Sequence, residues 1–321
     1  MKSCKTSRLT AWGATLATVF LLSAAAYAFG TMNSLGQRAE HEKITRLSLA
    51  ELGIGPRTML ALAGKGGTFG AVGAPDVRLL SQASAHCDGG DALDVPGYPQ
   101  SRSDALAHLE ACRRWIFDNL EQAVQDANAL VDADGDVDGS QIPTLISCTY
   151  TGTKGRAKCN VLEDLGVALH ASQDFYSHSN WVDIPEPGAL GATNPPGLGQ
   201  DGRAPWLDPR LAEGPPDGLI SSCYEGPLET LRCNYGGGKQ RIKHQFLNKD
   251  LGTIGASATA AGPGRTERGK VDRNFQRAVA AAVQDSRDKW QYFEERILAV
   301  YGSRRGTAMI CAMRSDDPDR C

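Results

Sequence analysis

The chain has 321 residues, with Lys+Arg 34 against Asp+Glu 37, a net charge of −3, and is 41% hydrophobic and 22% charged. That is too apolar for a disordered chain and too evenly charged for a protein that grips nucleic acid with a basic surface. Gly 36 and Pro 16 predict long irregular loops and disfavour a plain bundle with tight turns.

Lys2, Lys5 and Arg8 precede an uncharged stretch that runs from Leu9 to Gln37 and closes on Ala26-Tyr27-Ala28. Small residues at −3 and −1 after an apolar run predict a secretory signal over residues 1–28, cleaved to leave Phe29 first. The competing reading is an uncleaved anchor, weakened by the Ala, Thr and Gly content of the run. Cleavage would remove three cations and no acid, taking the charge to −6. A secreted or periplasmic location follows. Of nine cysteines, Cys4 leaves with the signal, and eight remain. No CxxC pair occurs, and an even count in an exported chain predicts disulfides. Spacing suggests Cys148–Cys159, Cys223–Cys233 and Cys311–Cys321, and by elimination Cys87–Cys112.

Apolar residues recur at helical spacing over residues 34–52, then in a long helix capped at Ser103-Asp104 and running to about Val131. Further helices are expected over 161–178 and 271–301, the last burying Phe275, Val279, Trp290, Phe293 and Ile297. No segment shows sustained strand alternation or a hairpin signature. The fold expected is mainly α, one helical domain over residues 29–321 with disulfides and long Pro/Gly-rich loops. Residues 183–239 carry nine prolines and a Gly triplet, and are expected to form an excursion over the mouth of a site.

Six histidines are present: His41, His86, His108, His170, His178 and His244. On a helix, His170, Asp174 and His178 stand at i, i+4 and i+8 and share one face. Imidazole and carboxylate on one stripe suit a divalent metal. His41 lies between Glu40 and Glu42. His86-Cys87-Asp88 opens a Gly-containing loop, and His244 and Asn248 stand at i, i+4 with Asp250 nearby. His108 has no partner in sequence and reads as an ordinary helix residue. In the acidic run that opens at Asp132, a calcium loop read from Asp134 has Asp134, Asp136 and Asp138 at positions 1, 3 and 5 and Gly139 at position 6, but position 12 is Leu145. A solvated acidic loop is the alternative there.

His170-xxx-Asp174-xxx-His178 followed by Ser179-Asn180-Trp181 resembles the central motif of the heterokaryon-incompatibility protein C group. That group is related to bacterial zinc-dependent phospholipase C and more distantly to fungal zinc-dependent single-strand nucleases. The Phe29-Gly30 start, the segment from Glu40-His41 to Ile44-Thr45, the His86-Cys87-Asp88 loop and Leu247-Asn248-Lys249-Asp250 resemble further blocks in the same order. The resemblance covers residues 29 to about 250, without the insertion.

It implies a helical fold around two or three zinc ions. His170 and Asp174 would be ligands, Asp174 bridging two ions; His86 would join His170, His178 would pair with His244, and His41 would take a third ion with the Phe29 amine. Asp76 falls where the phospholipases carry a carboxylate near the attacking water, and Asp76 or Asp88 would orient or deprotonate that water. Where those enzymes end in a His-xxx-Glu pair, this chain has His244 and Asn248, with Asp250 as the candidate to compensate. The activity implied is hydrolysis of a phosphodiester, foremost a phospholipid head-group linkage, with transient contact at a membrane surface. Two other readings are a non-catalytic secreted module with structural metals and a partner-binding insertion, and a zinc-dependent nuclease. A mature charge of −6 argues against nucleic acid as partner.

Overall fold

The computed structural model describes residues 29–33, 37–144, 148–224, 233–235, 237 and 239–321. The expected signal segment, and the Leu145 position of the acidic loop, lie outside the described residues. The described chain is mainly helical: α1 (Glu40–Leu49), α2 (Pro56–Ala63), α3 (Pro75–Arg78), α4 (Arg102–Asp126), α5 (Ala157–His178), α6 (Glu267–Lys270) and α7 (Asn274–Arg314). One small antiparallel hairpin, β1 (Asn234–Tyr235) with β2 (Lys239–Gln240), flanks the Gly triplet, where no hairpin was expected.

Helix α5 is the centre. It packs against α4 on one side and α7 on the other, with α1 and α2 also against it. All but Asn160 and Asp164 of its residues are buried, so it is enclosed all round as a central helix must be. Gly166 lets the 3-10 turn Ala71–Gly73 approach closely: a Cβ there would lie 2.4 Å from the Ala71 carbonyl carbon. Helix α4 starts at a Ser101 cap that accepts from the Asp104 amide, slightly earlier than sequence suggested. The helix expected to end at 301 does leave helical geometry at Gly302 (φ 74, ψ 174), and a second helical piece continues beyond that kink to Arg314.

The four cysteine pairs stand at disulfide bonding distance in the pairing that spacing suggested: Cys87–Cys112, Cys148–Cys159, Cys223–Cys233 and Cys311–Cys321. Among the described residues no helix is long and apolar enough to cross a membrane.

The Pro-rich segment does not stand free over a site. Trp206 and Leu207 are buried in the main core, the Ala204 amide donates to Tyr176 Oη at 2.8 Å, and Trp181 Nε1 donates to Gly202 O. Arg210 then clamps it to α7 through Glu295 and Asp288. Between residues 183 and 224 the backbone is irregular apart from a 3-10 turn at Pro205–Leu207. That stretch is anchored in the core at Ala204, Trp206, Leu207 and Leu219, while residues 186–190 and 211–214 stay exposed.

Candidate metal centre

Five of the six histidines converge; His108 remains exposed on α4. From α5, the stripe His170, Asp174 and His178 is fully buried, as helical spacing required. Helix α1 brings His41, the loop before α4 brings His86, α3 brings Asp76, and the 3-10 turn His244–Phe246 brings His244 with Asp250 just beyond.

Three groups result, each able to hold a cation: His41 with His170 and Asp174; Asp76 with His86 and His170; and His178 with His244 and Asp250. Asp174 faces two ways. Its Oδ2 lies 3.0 Å from both His170 Nε2 and His86 Nδ1, while Oδ1 lies 3.2 Å from His41 Nε2. Asp76 Oδ1 stands 3.6 Å from His170 Nε2, and Thr31 Oγ1 donates to its other oxygen. In the third group the two Nε2 atoms are 3.1 Å apart, and Asp250 is 3.3 Å from each.

What decides the chemistry is the opposite edge of each ring. His170 Nδ1 meets Val72 O at 2.8 Å, His86 Nε2 meets Leu79 O at 3.2 Å, His178 Nδ1 meets His86 O at 3.0 Å, and His41 Nδ1 meets Gln173 Oε1 at 2.7 Å. Each is an acceptor, so in the neutral ring each of these nitrogens carries the proton and the inward nitrogen keeps its lone pair. The Asn248 amide lies 3.1 Å from His244 Nδ1, and a half-turn of that amide presents its oxygen to the same effect. Bare nitrogens and carboxylate oxygens therefore face one another with nothing to donate. His41 Nε2, Asp174 Oδ1 and Asp250 Oδ2 are buried with no hydrogen-bond partner. Acceptors converging in a buried space could hold a metal ion, or protons, among them.

No family model, curated protein or solved structure matches the chain. The site thus rests on its own geometry. Three buried carboxylates, Asp88, Asp174 and Asp250, with the less buried Asp76 at the edge, surround five rings.

Electrostatics agree. Burial would push the Asp174 carboxyl up, but His170, His178 and His41 hold it well below the usual carboxylate range. Burial pulls the His178 ring down, yet Asp88, Asp174 and Asp250 push it well above its ordinary value. Burial lowers His244, and Asp250 offsets this only in part. Burial raises Asp76 against the pull of His170, His41 and His86. Without metal, protons must supply the missing positive charge, so metal and protons compete for these nitrogens.

The other sequence candidates fall into place as follows. Phe29 is fully buried, its ring edge-on to His41 with centroids 5.9 Å apart. Asp88 lies behind His178, at Nδ1, rather than among the converging atoms. Asn248 is not a convergent ligand either; Asp250, two residues on, takes that position. The acidic loop is a correction. Asp132 Oδ1 accepts from the Asp134 and Asp136 amides, Asp138 Oδ1 accepts from the Ser140 amide and hydroxyl, and Asp136 turns toward Arg304. Among the described residues these acids form no convergent group for calcium. Asp132 and Asp138 are spent on turn hydrogen bonds.

Gln173 was missed by sequence reasoning. It lies off the histidine stripe, and the only cue was its position beside Asp174. Its Nε2 donates to Thr45 Oγ1 and Ser286 Oγ, so one buried amide joins α1, α5 and α7 around His41.

Proposed function

We propose that the protein is an exported zinc-dependent phosphodiester hydrolase of the phospholipase C type, acting on a phospholipid head-group linkage. The observation that carries this reading is the convergence of acceptor-only atoms from α1, α3, α5 and two loops into three adjacent groups. The mixed imidazole and carboxylate donor set suits zinc. Zinc, when bound, supplies Lewis acidity and an activated water at neutral pH.

The chain's own residues then divide the work. Asp76 is the convergent residue with the most solvent contact, and Thr31 holds one of its oxygens, leaving Oδ1 to orient water or accept its proton. His41, His170, Asp174 and His86 fix the first two ions, and the freed Phe29 amine would complete the His41 group after signal cleavage. His178, His244 and Asp250 offer three ligands, which leaves a position for substrate oxygen or water.

A metal-stabilised, non-catalytic module is the second reading. It is favoured by the near-complete burial of His41, His170, His178 and His244, since structural metal sites are closed.

The test is zinc content of the purified mature protein together with hydrolysis of a chromogenic phosphocholine ester by wild type, His170→Ala and Asp174→Asn. Zinc-dependent activity lost in both variants supports the enzyme. Zinc without activity supports the module, and cleavage of single-stranded DNA alone supports a nuclease. A wild type that neither holds zinc nor regains activity with it ends all three.

A further inference from the structure

Asp88 is the one carboxylate of the centre that no cation group includes. Its Oδ1 lies 3.3 Å from His178 Nδ1 and accepts from Ser222 Oγ at 2.7 Å, while Oδ2 is buried with no hydrogen-bond partner. Nδ1 is the far edge of that ring; both Asp250 and His244 face Nε2. A base for attacking water cannot work from behind a ligand.

The placement is built in. Cys87 sits in the left-handed region (φ 55) between His86 and Asp88, which sends those two side chains to different groups. A non-glycine residue held there needs support from its surroundings. The pairing with Cys112 on α4 supplies it. On the other side, the Ser222 amide donates to His178 O at 3.0 Å and the Gly89 amide to Ser222 O at 2.6 Å, which seats the returning end of the Pro-rich segment against Asp88.

On His170, His86 and His41 the outer nitrogens meet neutral partners: Val72 O, Leu79 O and Gln173 Oε1. The His178 N–H is instead shared between a backbone carbonyl and a carboxylate.

We propose that Asp88 is a positioning residue that acts through His178, its anionic oxygen fixing the ring tautomer and raising the donor strength of Nε2 toward the ion of the third group. This rests on the reading that the third group binds a divalent cation. Such a carboxylate–histidine pairing orients the ligand and makes it more basic. It also gives that group an anionic backing the other two lack.

The experiment is zinc competition against a chromogenic chelator, using the full mature protein, with wild type, Asp88→Asn and Ser222→Ala. Asp88→Asn keeps an acceptor and removes the charge. It should weaken one zinc equivalent by about 10- to 100-fold and leave the others unchanged. Ser222→Ala should weaken the same equivalent less. The other zinc equivalents separate positioning from plain structure, since a general loosening of the fold weakens all of them. Unchanged zinc affinity in Asp88→Asn overturns the proposal, as does an equal fall in every equivalent. A wild type that takes up no zinc overturns this and the hydrolase reading together; normal uptake by both proteins overturns this alone.

Discussion

Asp174 Oδ1 faces His41 Nε2 at 3.2 Å on one side of α5, while its Oδ2 faces His86 and His170 on the other. Asp174 therefore belongs to the His41 group and also touches both rings of the Asp76 group, whereas Asp250 touches only the rings of the third. Asp174→Asn should lose more than one metal ion per chain and Asp250→Asn should lose one. Metal analysis of the purified variants by mass spectrometry checks this, and equal losses would show that Asp174 does not span two groups. On the hydrolase reading proposed above, each loss should lower activity by more than the roughly 10- to 100-fold that supporting residues cost.

Gly166 poses a contest of two effects with opposite signs. An alanine in a helix interior gains about 1 kcal/mol over glycine. Here the added Cβ would lie 2.4 Å from the Ala71 carbonyl carbon, and backbone cannot swing aside as a side-chain tip can. Overpacking of this kind costs about 1–3 kcal/mol. The clash should win, so Gly166→Ala should lower the unfolding midpoint. It should also push away the turn that carries Val72 O, the acceptor for His170 Nδ1, and so weaken zinc retention. Urea unfolding and a chelator challenge measure the two effects.

How much could be read before the fold was known depends on the range of each interaction. The His170–Asp174–His178 stripe was legible because helix geometry alone puts i, i+4 and i+8 on one face. The meeting of His41, His86 and His244 with it depends on the path of the whole chain, and only the family resemblance pointed there. Asn248, at i+4 from His244, does reach that ring, but at its outer Nδ1, whereas Asp250 reaches the inward Nε2. Helix α2 had a cue in Gly55-Pro56, a proline at the first helical position, yet at eight residues it fell below what periodicity detects. The burial of Trp206 and Leu207 was hidden by the prolines around them.

Asp164, on the outer side of α5, gives a pH prediction away from the metal groups. Burial, aided by Asp126 and Glu163 and opposed by Lys154, pushes its carboxyl up from 3.8 to about 7. The folded chain then holds a proton that the unfolded chain has released. Stability from this group is full below the unfolded value and is lost as pH rises through about 7. Asp164→Asn removes that loss. The variant should exceed wild type by on the order of 2 kcal/mol above neutrality, allowing for partial screening near the surface. Its advantage should grow between about pH 5 and pH 8 in paired urea titrations. An advantage that stays constant across that range would show that Asp164 keeps its charge in the fold.

The Cys87–Cys112 pair ties the His86–Asp88 loop to α4 across 25 residues of chain. A crosslink closing a loop of this length stabilises by about 3 kcal/mol, chiefly by restricting the unfolded chain. Replacing both cysteines with serine should therefore lower stability by about that amount. The buried thiol positions add to the loss, since Cys87 and Cys112 both lie in the core. A pure unfolded-state effect would leave the folded metal centre untouched. The structure predicts otherwise, because the strained backbone at Cys87 sends His86 toward Asp174 and Asp88 toward His178. The double variant should lose zinc from the groups containing His86 and His178 before the His41 group. Metal content measured under conditions where the variant remains folded decides between the two, and full retention of zinc would confine the crosslink to chain entropy.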